Sequence, residues 1–274
     1  VISECGNGER LAIAKVAAEV LNVPMEAVTV VQADNGTNPA DFGLAGSRGT
    51  ITGGAAVGRA AAEARKKLLE EAAPVMGCSP EELDTKDMMI FKKDDPSNQI
   101  PWLRICPLYY SITGTGGIEG DFNHNNCVMI FVEVEVDLDT GLVKVVDVLG
   151  ASDVGQIVNP IELKMQFEGG LGSAGLDTAQ LEAHVLDPVL GRIMTHNLID
   201  YKWRPFNELP HFDTSILESQ FPTAHPFGAI GIGEITGAGG PPAVLMAIEN
   251  AIGGAEINEY PATPDRILKA LGKA

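Results

Sequence analysis

Positive charge is scarce in this chain. Lysine and arginine total 19 against 37 aspartates and glutamates, a net charge of −18 at neutral pH. Binding to nucleic acid or to an anionic membrane surface draws on positive charge that displaces counterions, so the balance argues against both as partners. The acidity identifies no substrate. Cysteine is also sparse: Cys5, Cys78, Cys106 and Cys127 are widely scattered and form no Cys-x-x-Cys pair. That spacing excludes a self-contained all-cysteine zinc or iron–sulfur site, and it fits a reducing compartment, the cytoplasm, better than a disulfide scaffold. No apolar run approaches the roughly 20 residues needed to span a bilayer. An initiator Met is missing too. Val1-Ile2-Ser3 carries no signal-peptide pattern and reads as a strand joined mid-stride, so a fragment or a processed subunit is expected.

What remains is a globular composition. Of 274 residues, 45% are hydrophobic and 20% charged, enough for one large domain or two with a substantial core. After Val1–Ser3 comes Glu4-Cys5-Gly6-Asn7-Gly8-Glu9, then a helix predicted over 10–21 with Leu11, Ala14, Ala17, Ala18 and Leu21 on one face. Val28-Thr29-Val30-Val31 is β-branched and strand-like. A Gly-x-Gly turn at a helix start offers free backbone N–H groups, a ready anion site. A second such place follows the polar loop 34–46: Ser47-Arg48-Gly49-Thr50, Gly53-Gly54 and an Ala-rich helix to about Ala73. Hydroxyls, an Arg and glycine N–H groups ahead of a helix suit phosphate recognition or an ordinary N-cap cluster with a surface Arg. The charged side of 63–71 reads as a solvated helix face, and Ser79-Pro80-Glu81-Glu82 as an N-cap with Pro first.

The span 84–118 suggests short strands. Its aromatics, Trp102, Tyr109 and Tyr110, read as packing residues. Residues 126–137 alternate around Phe131, Val132, Val134 and Val136, and Asp137-Leu138-Asp139-Thr140-Gly141 turns into 143–151. This is a β-hairpin whose acids serve the turn, since the remaining ligands of a calcium loop are missing. His124 and Asn125, just before it, read as solvent-facing polar residues. Asn159-Pro160 launches a helix carrying Gln166, Glu168 and glycines at 169, 170, 172 and 175. Each glycine costs a helix about 1 kcal/mol relative to Ala, so close approach of a backbone or a ligand is expected there. Residues 187–222 read as an irregular surface strap. Next comes His225-Pro226-Phe227-Gly228-Ala229-Ile230-Gly231-Ile232-Gly233-Glu234, continuing through Gly237 and Gly239-Gly240 to an apolar helix predicted over 241–252. Thr263 caps a last helix opened by Pro264. Glu234 is a lone carboxylate among six glycines. By itself it is either an incidental acid on a turn or a group placed to face a ligand. Gly228-x-x-Gly231-x-Gly233 is not the Gly-x-Gly-x-x-Gly of a Rossmann nucleotide site.

Taken together and in order, these pieces resemble the C-terminal half of the molybdenum-cofactor-binding large subunit of the xanthine dehydrogenase / aldehyde oxidoreductase family, of the split-subunit nicotinate or xanthine dehydrogenase type. The stretch ending in Glu234 resembles the family's Gly-x-Gly-Glu loop, and Pro261-Ala262-Thr263-Pro264 its Pro-x-Thr-Pro segment. Asp153-Val154-Gly155 with Asn159-Pro160, Gln166-Phe167-Glu168-Gly169-Gly170, and Ser47-Arg48 with Thr50 resemble three more of its motifs. The family's Gly-Gln-Gly-Thr is here Gly6-Asn7-Gly8-Glu9. Asn presents the same amide on a shorter arm. Glu9 adds a charge that is unfavourable beside a pyrophosphate unless it points away.

The resemblance implies an α+β fold of mixed strands and helices, with a first cofactor-binding lobe over 1–125 and a second, bearing the catalytic loop, over 126–274. It implies a molybdenum–pyranopterin cofactor (molybdopterin, in its simple or cytosine dinucleotide form). Gly6, Asn7, Gly8, Ala45, Gly46, Ser47, Arg48, Thr50, Gln166, Gly231 and Gly233 would hold it, and no side chain would ligate the metal directly. Glu234 would be the catalytic base in oxidative hydroxylation of an N-heterocycle or aldehyde, with water as oxygen source. Reductive or hydrating chemistry (aryl-CoA dehydroxylation, for example) and an inactive cofactor-binding scaffold are the alternatives. Expected partners are the N-terminal half of the subunit, a two-cluster iron–sulfur subunit and an FAD subunit that carry electrons away, and a small-molecule substrate.

Overall fold

In a computed structural model the chain is described over residues 3–31, 34, 36, 43–107, 110–118, 125–220 and 225–273. Val1 and Ile2, most of the 34–46 loop, Tyr109, His124 and Pro222 lie outside the described residues. Internal contacts divide the chain into two units. Unit 1 comprises Val1–His124, Gly155–Pro160 and Ser219–Gly231; unit 2 comprises Asn125–Val154, Ile161–Glu218 and Ile232–Ala274. Both helices and sheets are present in an α+β arrangement.

Unit 1 is built on two helices, α1 (Glu9–Leu21) and α2 (Gly54–Met76). Both end on left-handed residues, Asn22 and Gly77, which turn the chain out of the helix. α2 packs its C-terminal half on a three-stranded antiparallel sheet, β1 (Leu83–Lys86), β2 (Met89–Lys92) and β3 (Gln99–Pro101). Leu68, Ala72, Ala73, Leu83 and Ile90 form the buried centre there, with Trp102, Cys78 and Cys106 against it. Trp102 is therefore a packing residue. Ser79 and Glu82 close a reciprocal capping box on the turn before β1.

The charged side of α2 is more than a solvated face. The Arg65 guanidinium pairs with Asp84 and donates to Thr85 Oγ1 at 3.1 Å. Glu63 accepts from the backbone N–H of Thr115 at 2.7 Å, while Arg59 and Lys67 donate to the carbonyls of Gly117 and Thr113 at 2.7 and 3.0 Å. These bonds lay 113–117 along the helix. Glu63 is held down to about 2, first by its bond with Lys67 and then by Thr115. Val28–Val31, expected as a strand, has no ladder partner among the described residues. β-branching makes the segment fit a sheet; it does not supply one.

Unit 2 is a three-stranded sheet with helices on one face. β4 (Val128–Val136) and β5 (Val143–Asp153) form the expected hairpin, with a bulge at Glu133/Val134. At its turn the carboxylate of Asp137 accepts the N–H groups of Asp139 and Thr140 at 2.9 and 3.2 Å, so that acid serves the turn. β6 (His211–Leu217) pairs parallel to β5. This strand lies inside the stretch expected to be irregular. Phe212, Thr214 and Ile216 alternate inward, but the partner strand stands more than fifty residues earlier, as parallel pairing demands a long crossover.

That crossover contains α3 (Pro160–Gly169), a π-helical run Gly170–Asp177 and a last turn, α4 (Thr178–Gln180). Phe167 is fully buried against Gly150 of β5, where a Cβ would come within 2.3 Å of its ring. α5 (Ile235–Ala251) starts six residues earlier than expected and takes Gly237, Gly239, Gly240, Pro241 and Pro242 into the helix. Packing explains the small residues. A Cβ on Gly240 would lie 2.5 Å from the backbone of Gly175, one on Gly170 1.9 Å from Thr236 Oγ1, and one on Gly239 2.8 Å from Ile130. Of the four glycines expected to mark a close approach, Gly175 meets the Gly240 backbone, Gly170 the Thr236 side chain and Gly172 the Phe212 ring, while Gly169 meets nothing within 4 Å. α6 (Pro264–Ala270) closes the chain, with Thr263 at its N-cap and Pro264 first.

Candidate functional site

In unit 1 three of the expected segments meet. The first is the turn ahead of α1, where Gly6 and Gly8 have φ of 96° and 77°. Its amides are not free. The carboxylate of Glu4 accepts the N–H groups of Gly6 (2.8 Å), Gly8 (3.1 Å) and Arg10 (3.0 Å). An anion does sit at this helix start, as the dipole favours, but the chain supplies it. These bonds, the one from Arg10 foremost, hold Glu4 below the usual carboxylate range. Asn7 is half-buried and its Oδ1 accepts from the Cys5 N–H at 3.4 Å. Sequence reasoning missed Glu4; its signal is a carboxylate two and four residues ahead of two glycines.

The second segment is Ala45-Gly46-Ser47, a tight turn with both Gly46 (φ 74°) and Ser47 (φ 57°) in the left-handed region. A non-glycine residue there is uncommon, and such strain collects at functional sites. Arg48 donates from Nε to the Gly43 carbonyl at 3.3 Å. Gly49–Gly53 then forms a π-helical turn leading into α2, a local widening frequent at functional sites. Thr50 donates to Glu9 at 3.1 Å, and Glu9 is buried behind Gly49. Glu9 therefore points into the unit, the orientation its charge requires.

The third segment is the run 225–231. His225 is buried against Gly54, where a Cβ would meet its ring at 2.3 Å, and it accepts from the Phe227 N–H at 3.2 Å. Gly228 accepts the Gln156 N–H at 3.2 Å, and Ala229 bridges Gly155, so the Asp-x-Gly motif and the Gly-rich run are antiparallel neighbours. A Cβ on Gly231 would lie 1.5 Å from the Ser47 carbonyl oxygen. Ser47 and Gly231, 184 positions apart in sequence, thus press backbone on backbone.

Unit 2 holds the other candidates. Gln166 is half-buried on the last turn of α3, just before Phe167. Gly233 and Glu234 form the turn into α5, and Glu234 is its exposed N-cap. Its side chain makes no capping bond to the helix, and no tertiary packing buries it. The acid stands on a rigid, glycine-packed helix start rather than on a loose loop.

With this geometry established, comparison with known proteins is informative. A family model described as molybdopterin cofactor-binding domain matches residues 2–210. The chain belongs to that family. Similar curated proteins include the large subunit of nicotine 6-hydroxylase from Paenarthrobacter nicotinovorans, 28% identical across 97% of this chain and 34% of that protein. The molybdenum-binding subunit of an aldehyde oxidoreductase from Escherichia coli is 28% identical across 98% of this chain and 36% of its own length. Among solved structures, quinoline 2-oxidoreductase from Pseudomonas putida superposes with a TM-score of 0.86 at 26% identity, over 99% of this chain and 36% of that one. The chain spans about a third of the length of the curated relatives it matches. The donor set suits the family's cofactor in kind: the strained Gly46-Ser47 turn, the Asn7 amide and the Gly231 backbone pressed on Ser47 present main-chain and small polar groups, the types that meet a pterin or a phosphate.

Proposed function

We propose that this chain is the C-terminal part of the molybdenum-binding subunit of a molybdenum hydroxylase. It would oxidise an electrophilic carbon of an N-heterocycle or an aldehyde, taking oxygen from water. The observation that carries this reading is the placement of Glu234, an exposed carboxylate fixed at the N-cap of α5 by glycine-tight packing behind it. A carboxylate so placed can accept a proton from water as that water attacks. Relatives named for nicotine, aldehyde and quinoline oxidation support the substrate class. The molybdenum–pyranopterin, in its simple or cytosine dinucleotide form, supplies the two-electron chemistry when bound.

The other residues would bind and orient. Asn7, Ala45 to Arg48, Thr50 and Gly231 in unit 1, and Gln166 and Gly233 in unit 2, would each contribute amides and hydroxyls to holding the cofactor. The Gly6 and Gly8 N–H groups, already taken by Glu4, would only shape the turn that carries Asn7. Burial of Glu9 with its carboxylate on Thr50 turns its charge inward, away from a pyrophosphate bound outside the unit, which supports cofactor binding by this altered motif. Electrons would leave through an iron–sulfur subunit and an FAD subunit in the cytoplasm, because the four cysteines here are not spaced for clusters. Among the described residues, no helix is long and apolar enough to cross a membrane.

The test is Glu234→Gln in the assembled enzyme. Molybdenum content and thermal midpoint should stay at wild-type values while turnover of nicotinate, xanthine or an aldehyde falls by about two to four orders of magnitude. A near wild-type rate at full molybdenum occupancy would remove Glu234 from the reaction.

A further inference from the structure

The segment of unit 2 between α4 and β6 turns its apolar side chains outward. Val189, Leu198, Ile199 and Phe206 are 86%, 90%, 84% and 90% exposed, with Leu190 and Trp203 beside them at 64% and 60%. Single exposed apolar residues need no explanation, but this density on one strap does.

The strap is not a loose chain that happens to be greasy. Arg204, 8% exposed, makes a 3.2 Å ion pair with the buried Asp177 and donates to Gln180 at 2.6 Å. Tyr201 donates to Glu182, which also accepts from Thr178 at 2.7 Å. Asn197 accepts the N–H groups of Ile199 and Asp200 at 2.9 and 3.2 Å, and Asp187 those of Val189 and Leu190 at 2.8 and 3.1 Å. Leu186 bridges Ile193. Arg204, Tyr201, Asn197 and Asp187 hold the backbone, while the large apolar side chains face out. Burying an ion pair is costly, and here it is used to fix a surface that water does not favour.

Within 185–206 two acids, Asp187 and Asp200, stand against three bases, Arg192, Lys202 and Arg204, in a chain of net charge −18. The strap therefore lacks the acidic excess of the rest of the chain, and its exposed aromatic and aliphatic side chains, with Arg204 beneath them, are residue types enriched at interface cores. Leu198, Ile199, Tyr201, Lys202 and Trp203 also line a pocket of ≈ 660 Å³, room for a partner's apolar side chain.

We propose that this strap is the docking surface for the rest of the molybdenum-binding subunit, the part of its relatives' length that this chain does not span. The inference rests on the function proposed above. Two features favour this occupant. More than half of each matched relative lies outside the match, so a large polypeptide surface is available to cover the strap. A second copy of this chain would instead bring a net −18 against −18.

The test uses the assembled enzyme with single variants Leu198→Cys and Phe206→Cys, and Glu70→Cys on α2 as an exposed control. Alkylation by a maleimide is read at each site by peptide mass spectrometry. The two strap thiols should react about 100-fold more slowly than the control, and equally fast after urea unfolding. Reaction within a few-fold of the control overturns the proposal. So does protection in a particle whose native mass contains copies of this chain alone. Molybdenum content and turnover are measured in the same preparation: an exposed strap in an active, loaded enzyme sinks the docking surface only. A protected strap in an assembly that takes up no molybdenum sinks the functional reading only.

Discussion

His225 sits where a proton is unwelcome. Its ring fills the space that Gly54 leaves open, its Nδ1 takes the Phe227 N–H, and burial lowers its pKa from 6.5 to about 4. The folded value lies below the unfolded one, so the fold favours the neutral ring. Its stabilisation is complete above pH 6.5 and is lost as pH falls through 4, about 3 kcal/mol across that window. Thermal melts should therefore show the midpoint dropping between pH 6.5 and 4, and His225→Asn should flatten that part of the profile. Parallel profiles for wild type and variant would assign the acid sensitivity to other groups. Glu4 acts in the same direction at still lower pH, because its depressed pKa makes its bonds to Gly6, Gly8 and Arg10 a stabilisation that protonation removes. At this scale the sequence marked the chemistry-bearing types but not their partners. Glu9 read as a liability beside a pyrophosphate, and only its bond to Thr50 turns it inward.

At the scale of elements, two periodicities meet on α2. Glycines 114 and 116 are two apart on an extended segment, and Ala56 and Ala60 are four apart on a helix; both spans are about 6 to 7 Å. The extended segment can therefore lie along the helix with every contact in step. A Cβ on Gly116 would stand 1.9 Å from the Ala56 carbonyl oxygen, and one on Gly114 equally close to that of Ala60. Gly116→Ala should cost about 1–3 kcal/mol in urea unfolding, with an unchanged m-value, by forcing two backbones apart. A change within experimental error would mean that the segment does not ride on α2. The same reasoning accounts for the early start of α5. Its glycines read as loop residues in sequence because they cost helix propensity, yet the bare backbone of Gly240 is what lets the helix cross Gly175. Local signals were sufficient for α1, for the β4–β5 hairpin and for α6, whose partners or caps lie a few residues away. They failed for β6, whose partner is remote, and for Val28–Val31, which has the side chains of a strand and no ladder partner among the described residues.

For the whole molecule, the excess of acids sets behaviour that no single contact does. A net charge of −18 repels itself in the compact state, and at physiological ionic strength screening operates over about 8 Å. Raising NaCl from low levels to about 0.15 M should raise the thermal midpoint of the chain. A midpoint that falls instead would show that attractive ion pairs such as Arg65–Asp84 outweigh the repulsion. The sequence by itself determined the family, the apolar and acidic balance, and the identity of the candidate groups, because residue type and spacing along one element are local properties. It also placed Glu234 at the head of a helix, though some six residues too far ahead of it. Tertiary structure alone decided that Ser47 and Gly231 touch, that Glu4 and not a free cradle of amides caps α1, and that the strap after α4 is fixed with its apolar side out. Each of these depends on which distant backbones come into contact, and the free energy of such contacts is fixed only when packing has chosen the partners.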